Sequence, residues 1–311
     1  MFSALAPLVG MLITLMNGLN SRFSKGVGIL VACLSIHLAG LSAVSLILLV
    51  KKERRTPGKL PPYYYLGGVI GVGTVFSSAY AFSTLGASLA VALALLGQTI
   101  FSLAVDGTGF LGRTRHPFTL RSVPGLALAV AGSAIIARDW RSNALAMIVA
   151  LASGALPSLS FVLNAELGRE KGVLRSTRVN YLAGLATTIA MIAVARPDAV
   201  AAWQSIKAAG PLLALGGGVM GVGVVASMNL VFARMPAFFA TLLVFSGQSL
   251  AGILIDFAAE GFFDLRKLAG VCVLLLGLAA NSFLANRFLG AQKPDLAMPS
   301  KVLRKAVKNG K

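Results

Sequence analysis

The chain has 311 residues, of which 57% are hydrophobic and 12% are charged, and its formal net charge is +18. Its mean hydropathy is +0.82. A soluble domain carries about twice this share of charged residues, so the composition excludes an ordinary soluble globule and indicates an integral membrane protein. Helical spans are expected, because the strands of a membrane barrel would alternate apolar and polar residues.

Charge-free apolar segments predict ten transmembrane helices of roughly 20 residues each. In chain order these spans cover about residues 3–21, 27–50, 63–83, 87–105, 120–137, 143–165, 174–195, 211–231, 237–257 and 268–286. Alternate loops receive 20 and 8 of the 28 Lys and Arg residues. By the positive-inside rule both termini are predicted to be cytoplasmic. Topology and contact with anionic lipids account for the positive charge better than nucleic-acid binding does.

The two halves of the chain repeat one another. Residues 67–75 read GGVIGVGTV and residues 217–225 read GGVMGVGVV, which is a shift of 150 positions. Nearer the start of each half the shift is 144, because an insertion lies around residues 196–209. The two shifts align several polar residues in pairs: Asn20 with Asn164, His37 with Tyr181, Gln98 with Gln248, and Asp106 with Asp256.

Residues 1–140 and 141–290 therefore form two units of five spans, and residues 291–311 form a basic cytoplasmic tail. Five is an odd number, so the second unit is predicted to enter the membrane upside down relative to the first. Inverted repeats with a binding site near the midplane are typical of secondary transporters. The predicted fold is thus an all-α membrane protein with ten transmembrane helices arranged as two inverted five-helix repeats.

Glycine pairs occur at equivalent places in spans three and eight. Gly67 and Gly71, like Gly217 and Gly221, are four residues apart, a spacing that indicates close helix packing. The GxxGxG pattern does not predict a dinucleotide site, because no strand precedes it and no acidic residue follows at a suitable distance.

Two pairs of amides are candidates for the substrate path. Gln98 and Gln248 lie near the middle of spans four and nine, where a buried amide is costly unless it finds hydrogen-bond partners. Each amide either links two helices or lines a cavity, and the sequence leaves both roles open. Asn20 and Asn164 add a second matched pair in spans one and six.

Titratable residues suggest further roles. His37 is the side chain at bilayer depth that titrates near neutral pH, so it is a candidate for proton coupling, and packing is the alternative. Its repeat mate Tyr181 is placed in the same path. Asp106 and Asp256 end spans four and nine on opposite sides of the membrane, where each is either a solvated residue or a gate.

Several functional classes lack support in the sequence. The centres of the spans contain no Asp, Glu, Lys or Arg, which disfavours an exchanger built on an embedded carboxylate. We find no nucleotide-binding loop, zinc signature or Ser/His/Asp arrangement. We therefore expect neither an enzyme nor a protein with a cofactor or a bound metal.

Motifs in order along both units resemble those of the YdcZ-type family of the drug/metabolite transporter superfamily, in a duplicated form. They are the Asn of span one (GLNSRF; VLNAEL), the GGxxGxG of span three, the GQ of span four, and the acidic residue before a Gly-rich fifth span. The resemblance implies a ten-helix inverted-repeat carrier in the bacterial inner membrane. Asp106 and Asp256 look like acidic residues that close the same spans in related EamA-type members.

The function expected from the sequence is secondary transport of a small metabolite or organic compound by alternating access. Its expected partners are a small-molecule substrate and membrane lipids, and no nucleic acid. Spans five and ten are expected to serve either helix packing or the contacts of a homodimer. The alternative is a membrane interaction or lipid-handling protein that moves no soluble solute.

Overall fold

Eight long helices make up most of the computed structural model, which describes residues 2–51, 53, 60–85, 87–110 and 143–260, with isolated residues at 127–128, 131–132, 135, 265, 269–270, 272–273 and 276–277. No strand occurs in this part of the chain. The helices are α1 Phe2–Val27, α2 Ile29–Val50, α3 Gly67–Leu85, α4 Ala87–Thr108, α5 Ala144–Lys171, α6 Val173–Ala195, α7 Ala199–Arg234 and α8 Ala237–Glu260.

The eight helices coincide with predicted spans one to four and six to nine. Spans five and ten lie largely outside the described residues, as does the tail at 291–311. Five helices, α1, α2, α5, α6 and α7, are long and apolar enough to cross a membrane, and shorter apolar segments occur at Leu93–Thr108 and Ala237–Gly252. The chain is therefore an all-helical protein with several membrane-spanning elements.

Helix α7 contains the insertion that changes the repeat shift. Asp198 caps its start by accepting hydrogen bonds from the backbone N–H groups of Val200 and Ala201. The helix then breaks at Gly210, where φ is +80° and Pro211 follows. Such a φ favours glycine, and proline removes a backbone donor. The inserted residues thus form a short helical segment before the predicted eighth span.

The helices of the two units are interleaved. Helix α1 of the first unit packs along α7 and α8 of the second, and α5 of the second unit packs along α3 and α4 of the first. Helix α2 packs against α6 and α7, while α3 packs against α6. The first helix of each unit therefore finds its main partners in the other unit, which differs from an arrangement of two separate bundles.

Glycines make these crossings possible, and they do so in repeat-related pairs. A Cβ on Gly10 of α1 would overlap the backbone of Val244 in α8, and a Cβ on Gly154 of α5 would overlap the backbone of Ala94 in α4. The shifts of 144 and 150 relate all four residues. Their mutual geometry explains why glycine is present at these positions, since only a residue without a side chain allows such close approach.

Helix ends from both units meet at two opposite ends of the molecule. At one, which we call the basic end, α2, α4, α5 and α7 finish and α1, α3, α6 and α8 begin. The Lys and Arg residues described there are Lys51, Arg169, Lys171, Arg175, Arg178 and Arg234. At the opposite end the helix directions are reversed, and the described basic residues are Arg22, Lys25, Arg196 and Lys207.

Candidate functional site

Two asparagine–glycine contacts join the units, one near each end of the molecule. A Cβ on Gly217 of α7 would overlap Oδ1 of Asn20 in α1, and a Cβ on Gly67 of α3 would overlap Oδ1 of Asn164 in α5. The repeat relates the two contacts. The sequence predicts close packing at these glycines, and the structure shows that the group packed there is an amide side chain.

The residues that follow these glycines contact helix backbones directly. A Cβ on Gly68 would overlap the Asn180 carbonyl oxygen of α6, and one on Gly218 would meet the Ile36 carbonyl oxygen of α2 at 2.5 Å.

The second glycine of each predicted pair differs from its mate. A Cβ on Gly221 would overlap the Tyr181 hydroxyl, whereas no atom lies within 4 Å of a Cβ on Gly71. Gly71 thus borders open space.

The Asn164 amide belongs to a hydrogen-bond network at the basic end. Its Nδ2 donates to Asn180 Oδ1 at 2.8 Å and to Ser160 Oγ at 3.2 Å. Ser160 Oγ in turn donates to the Gly67 carbonyl at 2.8 Å, and Ser176 Oγ donates to the Asn164 carbonyl at 2.6 Å. A network whose members are mutually satisfied fixes the packing of α3, α5 and α6.

The Asn20 amide has no equivalent network. Its Oδ1 is buried and accepts no hydrogen bond from any described residue. The repeat explains the difference, because Ser160 and Asn180 correspond to Met16 and Ile36, which have no hydrogen-bonding groups to offer it. An unsatisfied buried acceptor costs about 1–3 kcal/mol.

His37 and Tyr181 come together where α2 and α6 cross. The His37 ring lies over Gly184, and the Tyr181 ring lies over Gly40. His37 Nδ1 is 2.7 Å from the Cys33 carbonyl oxygen. That contact requires a proton on Nδ1, so the neutral ring keeps Nε2 as an acceptor.

Tyr181 reaches farther than its repeat mate. Its hydroxyl donates to the Gly218 carbonyl at 3.3 Å and thereby links α6 to α7. The imidazole of His37 is shorter and makes its side-chain hydrogen bond within its own helix. Gly221, which the Tyr181 hydroxyl contacts, corresponds in the repeat to Gly71, which borders open space.

Gln98 and Gln248 lie on α4 and α8, which cross antiparallel. Ser102 Oγ and Thr241 Oγ1 are hydrogen-bonded at 2.8 Å across this crossing. Gln98 is 7% exposed, and neither glutamine side chain forms a hydrogen bond with a described residue. Extending the register from Ser102 and Thr241 places the amides about one helical turn apart along the crossing.

Asp106 closes the same crossing at the basic end. Its carboxylate is 3% exposed and accepts hydrogen bonds from the backbone N–H groups of Ala237 at 2.9 Å and Phe238 at 2.7 Å. The first backbone N–H groups of a helix have no partner within the helix, and the helix dipole also favours a negative charge at that end. Asp256 lies in the last turns of α8, at the opposite end, and its side chain is outside the described part.

Glu53 was not identified by the sequence analysis, although it joins α2 to α6. Its carboxylate accepts from the backbone N–H groups of Leu174 at 2.9 Å and Arg175 at 3.0 Å, and the Arg175 guanidinium donates to the Glu53 carbonyl at 3.0 Å. One signal could have found it: Glu53 is the only acidic residue before Asp106. The basic end thus carries two carboxylates that cap helices from the other unit.

The described residues contain no cluster of His, Cys, Asp or Glu that could hold a metal ion. The site is instead a set of amides, hydroxyl groups and one imidazole enclosed by apolar helices. Such groups can recognise a solute through hydrogen bonds, whereas nothing in their arrangement prepares a nucleophile for covalent chemistry.

Comparison with known proteins agrees with this description. The family model described as "Putative inner membrane exporter, YdcZ" matches twice, at residues 1–135 and 145–280. No curated protein sequence matches the chain. A crystal structure of a protein with 17% sequence identity has the same fold, with a TM-score of 0.64 over 92% of this chain and 97% of that chain. The protein thus belongs to the YdcZ family of the drug/metabolite transporter type, as a duplicated, multi-pass protein of the inner membrane.

Proposed function

We propose that the protein is a secondary transporter that moves a small polar compound across the inner membrane by alternating access. In this proposal ten transmembrane helices form two inverted five-helix units, and both termini are cytoplasmic. The observation that carries it is the pair of glutamines on the antiparallel helices α4 and α8, whose amides form no hydrogen bond with a described residue inside an apolar bundle.

The helix crossings support the inverted arrangement. Gly10 and Gly154 mark equivalent crossings of α1 with α8 and of α5 with α4, and these crossings involve helices that run in opposite directions in the two units. The basic end collects most of the described Lys and Arg residues at helix ends, so the positive-inside rule places it in the cytoplasm. This orientation assigns Asp106 to the cytoplasmic side and Asp256 to the other side.

Gln98 and Gln248 are proposed as the centre of the substrate site. An amide offers two donors and an acceptor, and leaving a buried amide unpaired costs free energy that a bound solute can recover. Asn20, Asn164, His37 and Tyr181 extend the path toward the two ends.

Asp106 and Asp256 are proposed as gate residues. The hydrogen bonds that Asp106 accepts from Ala237 and Phe238 support a gate that closes at the basic end, because they tie the end of α4 to the start of α8.

The test is transport by purified protein in liposomes, after a thermal-stability screen of metabolites has identified a ligand. Binding to the native state alone raises apparent stability by about 2.7 kcal/mol at a hundredfold excess over the dissociation constant. Gln98→Leu and Gln248→Leu should each lower transport at least ~10-fold while the protein still inserts, since Leu suits a membrane span at least as well as Gln.

A matched control is Ser102→Ala, which removes a hydrogen-bonded hydroxyl from the same helix crossing and should leave solute binding intact. Normal transport by both glutamine variants would refute the assignment of the site. Stabilisation by phospholipids alone, with no soluble ligand, would favour the lipid-handling alternative.

A further inference from the structure

The contact between α5 and α7 has no counterpart of similar extent in the other unit. Near the basic end α5 and α7 pack together, and Val162, Ala165, Val224 and Met228 belong to a single buried cluster there. The repeat maps α5 onto α1 and α7 onto α3. In the described part of the chain, however, α1 and α3 do not pack along one another.

The residues at the equivalent positions are small or polar. Val162 and Ala165 correspond to Gly18 and Ser21 of α1, and Val224 and Met228 correspond to Thr74 and Ser78 of α3. The four apolar residues are buried, whereas Gly18 is exposed and Ser21, Thr74 and Ser78 are half-buried. We call these two sets the α5–α7 seam and the α1–α3 seam.

On each helix, the residues of the α1–α3 seam share a face with residues that contact the second unit. Thr74 and Ser78 follow Gly67 and Gly71 at helical spacing, and Gly67 contacts Asn164 of α5. Residues three, four and seven apart share one face of a helix. On α1, Gly18 and Ser21 share a face with Thr14, whose hydroxyl donates to the backbone carbonyl of Gln248 at 3.2 Å. The seam therefore opens toward the proposed substrate site.

Hydrogen bonds between helices also distinguish the two ends. Beside the α5–α7 seam, Asn229 Nδ2 donates to Thr177 Oγ1 at 3.3 Å, and Glu53 caps α6 next to Gly172. Gly28, the repeat mate of Gly172, has a similar φ of +83° against +98°. In the repeat, Glu53 corresponds to the position just before Asp198. Asp198 caps its own helix, α7, and not a helix of the other unit.

We propose that the α1–α3 seam is the entrance through which the solute reaches Gln98 and Gln248 from the side opposite the basic end. The α5–α7 seam is then the closed counterpart of this entrance. Transport requires the two seams to open in alternation, so that α1 and α3 pack together when α5 and α7 separate. This inference rests on the transport function proposed above and names the path by which the solute enters.

The groups in the seam also indicate the chemistry of the solute. The Thr74 hydroxyl donates to the Ile70 carbonyl at 3.1 Å, which leaves its lone pairs to accept. The seam residues carry no charge. Acceptors without charge suit a small uncharged or zwitterionic compound with N–H or O–H donors.

Thiol labelling tests the entrance without any knowledge of the substrate. Single cysteines are introduced at Gly18, Ser78, Val162 and Met228 in a Cys33→Ala, Cys272→Ala background and treated in membranes with an impermeant reagent. Gly18→Cys and Ser78→Cys should react from the side opposite the basic end at least ~10-fold faster than Val162→Cys and Met228→Cys, because labelling follows exposure of the thiol to water. Leu15→Cys, at an exposed apolar position of α1, controls for lipid-facing residues and should not react.

Cross-linking tests the exchange of the two seams. The Gly18→Cys, Ser78→Cys pair should be joined by a short bifunctional reagent in membranes, and the cross-linked protein should lose transport until the link is cleaved. Equal labelling of both seams would overturn the entrance, and full transport by the cross-linked protein would overturn the exchange. Labelling as expected together with normal transport by Gln98→Leu and Gln248→Leu would refute the substrate site and leave the entrance in place.

Discussion

The rings of His37 and Tyr181 meet edge to face, with centroids 6.0 Å apart and an interplanar angle of 69°. These two residues are repeat mates, so the contact lies where the two units cross each other. Each ring rests on a glycine of the opposite helix, His37 on Gly184 and Tyr181 on Gly40. The centre of the α2–α6 crossing is therefore filled by two aromatic rings that only glycine allows to fit.

This geometry separates two roles for His37. If the ring only packs, His37→Gln should leave any pH change that accompanies transport unaltered and lower stability by about 1–3 kcal/mol through loss of packed area. If the ring carries protons, the same variant should abolish that pH change while solute binding persists. A pH-sensitive dye inside liposomes measures the first quantity, and thermal unfolding measures the second. We expect the packing result, because Nε2, the atom that would take up a proton, lies against Gly184 of α6.

Glycine-to-alanine substitutions should lower stability by amounts that depend on what the added methyl group meets. Gly97→Ala and Gly247→Ala place a methyl group against the Leu151 and Pro7 carbonyls, which belong to helix backbones and cannot move aside. Each should cost about 3 kcal/mol or more, the upper part of the range for overpacking. Gly71→Ala, which meets no atom within 4 Å, is the matched control and should be neutral. Thermal unfolding in detergent gives the order, and equal losses at all three positions would contradict the helix crossings described here.

A second substitution should restore the stability that is lost when Gly217 is replaced beside Asn20. Gly217→Ala overlaps the end of a side chain rather than a backbone, so the cost should be smaller, about 1–2 kcal/mol. Adding Asn20→Ala removes the overlapping amide and should recover most of that loss. A double-mutant cycle on unfolding midpoints measures the coupling between the two positions. Additive effects would show that the two side chains do not meet.

Asp106 should be essential for the join between α4 and α8. Asp106→Ala leaves the N–H groups of Ala237 and Phe238 without their acceptor, at about 1–3 kcal/mol for each buried donor. Asp106→Asn retains an acceptor oxygen and should lose less. Hydrogen exchange at the first turn of α8 reports the cap directly, and it should rise most in the alanine variant. Unchanged exchange in both variants would rule out the capping role.

Orientation can be checked with residues exposed at the two ends. In the background without Cys33 and Cys272, Ala208→Cys should react with an impermeant thiol reagent added outside intact cells, whereas Glu170→Cys should react only after the cells are opened. The expectation follows from the larger number of basic residues on the Glu170 side. The reverse pattern would place the basic end outside the cell.

Composition along the chain predicted the described helices well, because a charge-free apolar segment has few alternatives to a membrane span. The repeat also located Asn20, Asn164, His37 and Tyr181, which the structure places at crossings between units. The exchange of partners between the units was not predictable, since sequence spacing does not reveal which glycine faces which backbone. Glu53 was missed for a related reason: a carboxylate that caps a helix 120 residues away leaves no local pattern.

The packing of each unit's first helix against the other unit has a consequence for biogenesis. Helix α1 is synthesised first, but α7 and α8, against which it packs, follow roughly 200 residues later. At a synthesis rate of about 5–20 residues per second, α1 waits on the order of 10–40 s in the membrane before its partners emerge. During that interval Asn20 and the backbone at Gly10 have only lipid, translocation machinery or neighbouring nascent helices to contact. A ribosome that stops after the first unit would therefore release a chain whose opening helix has no permanent place to dock.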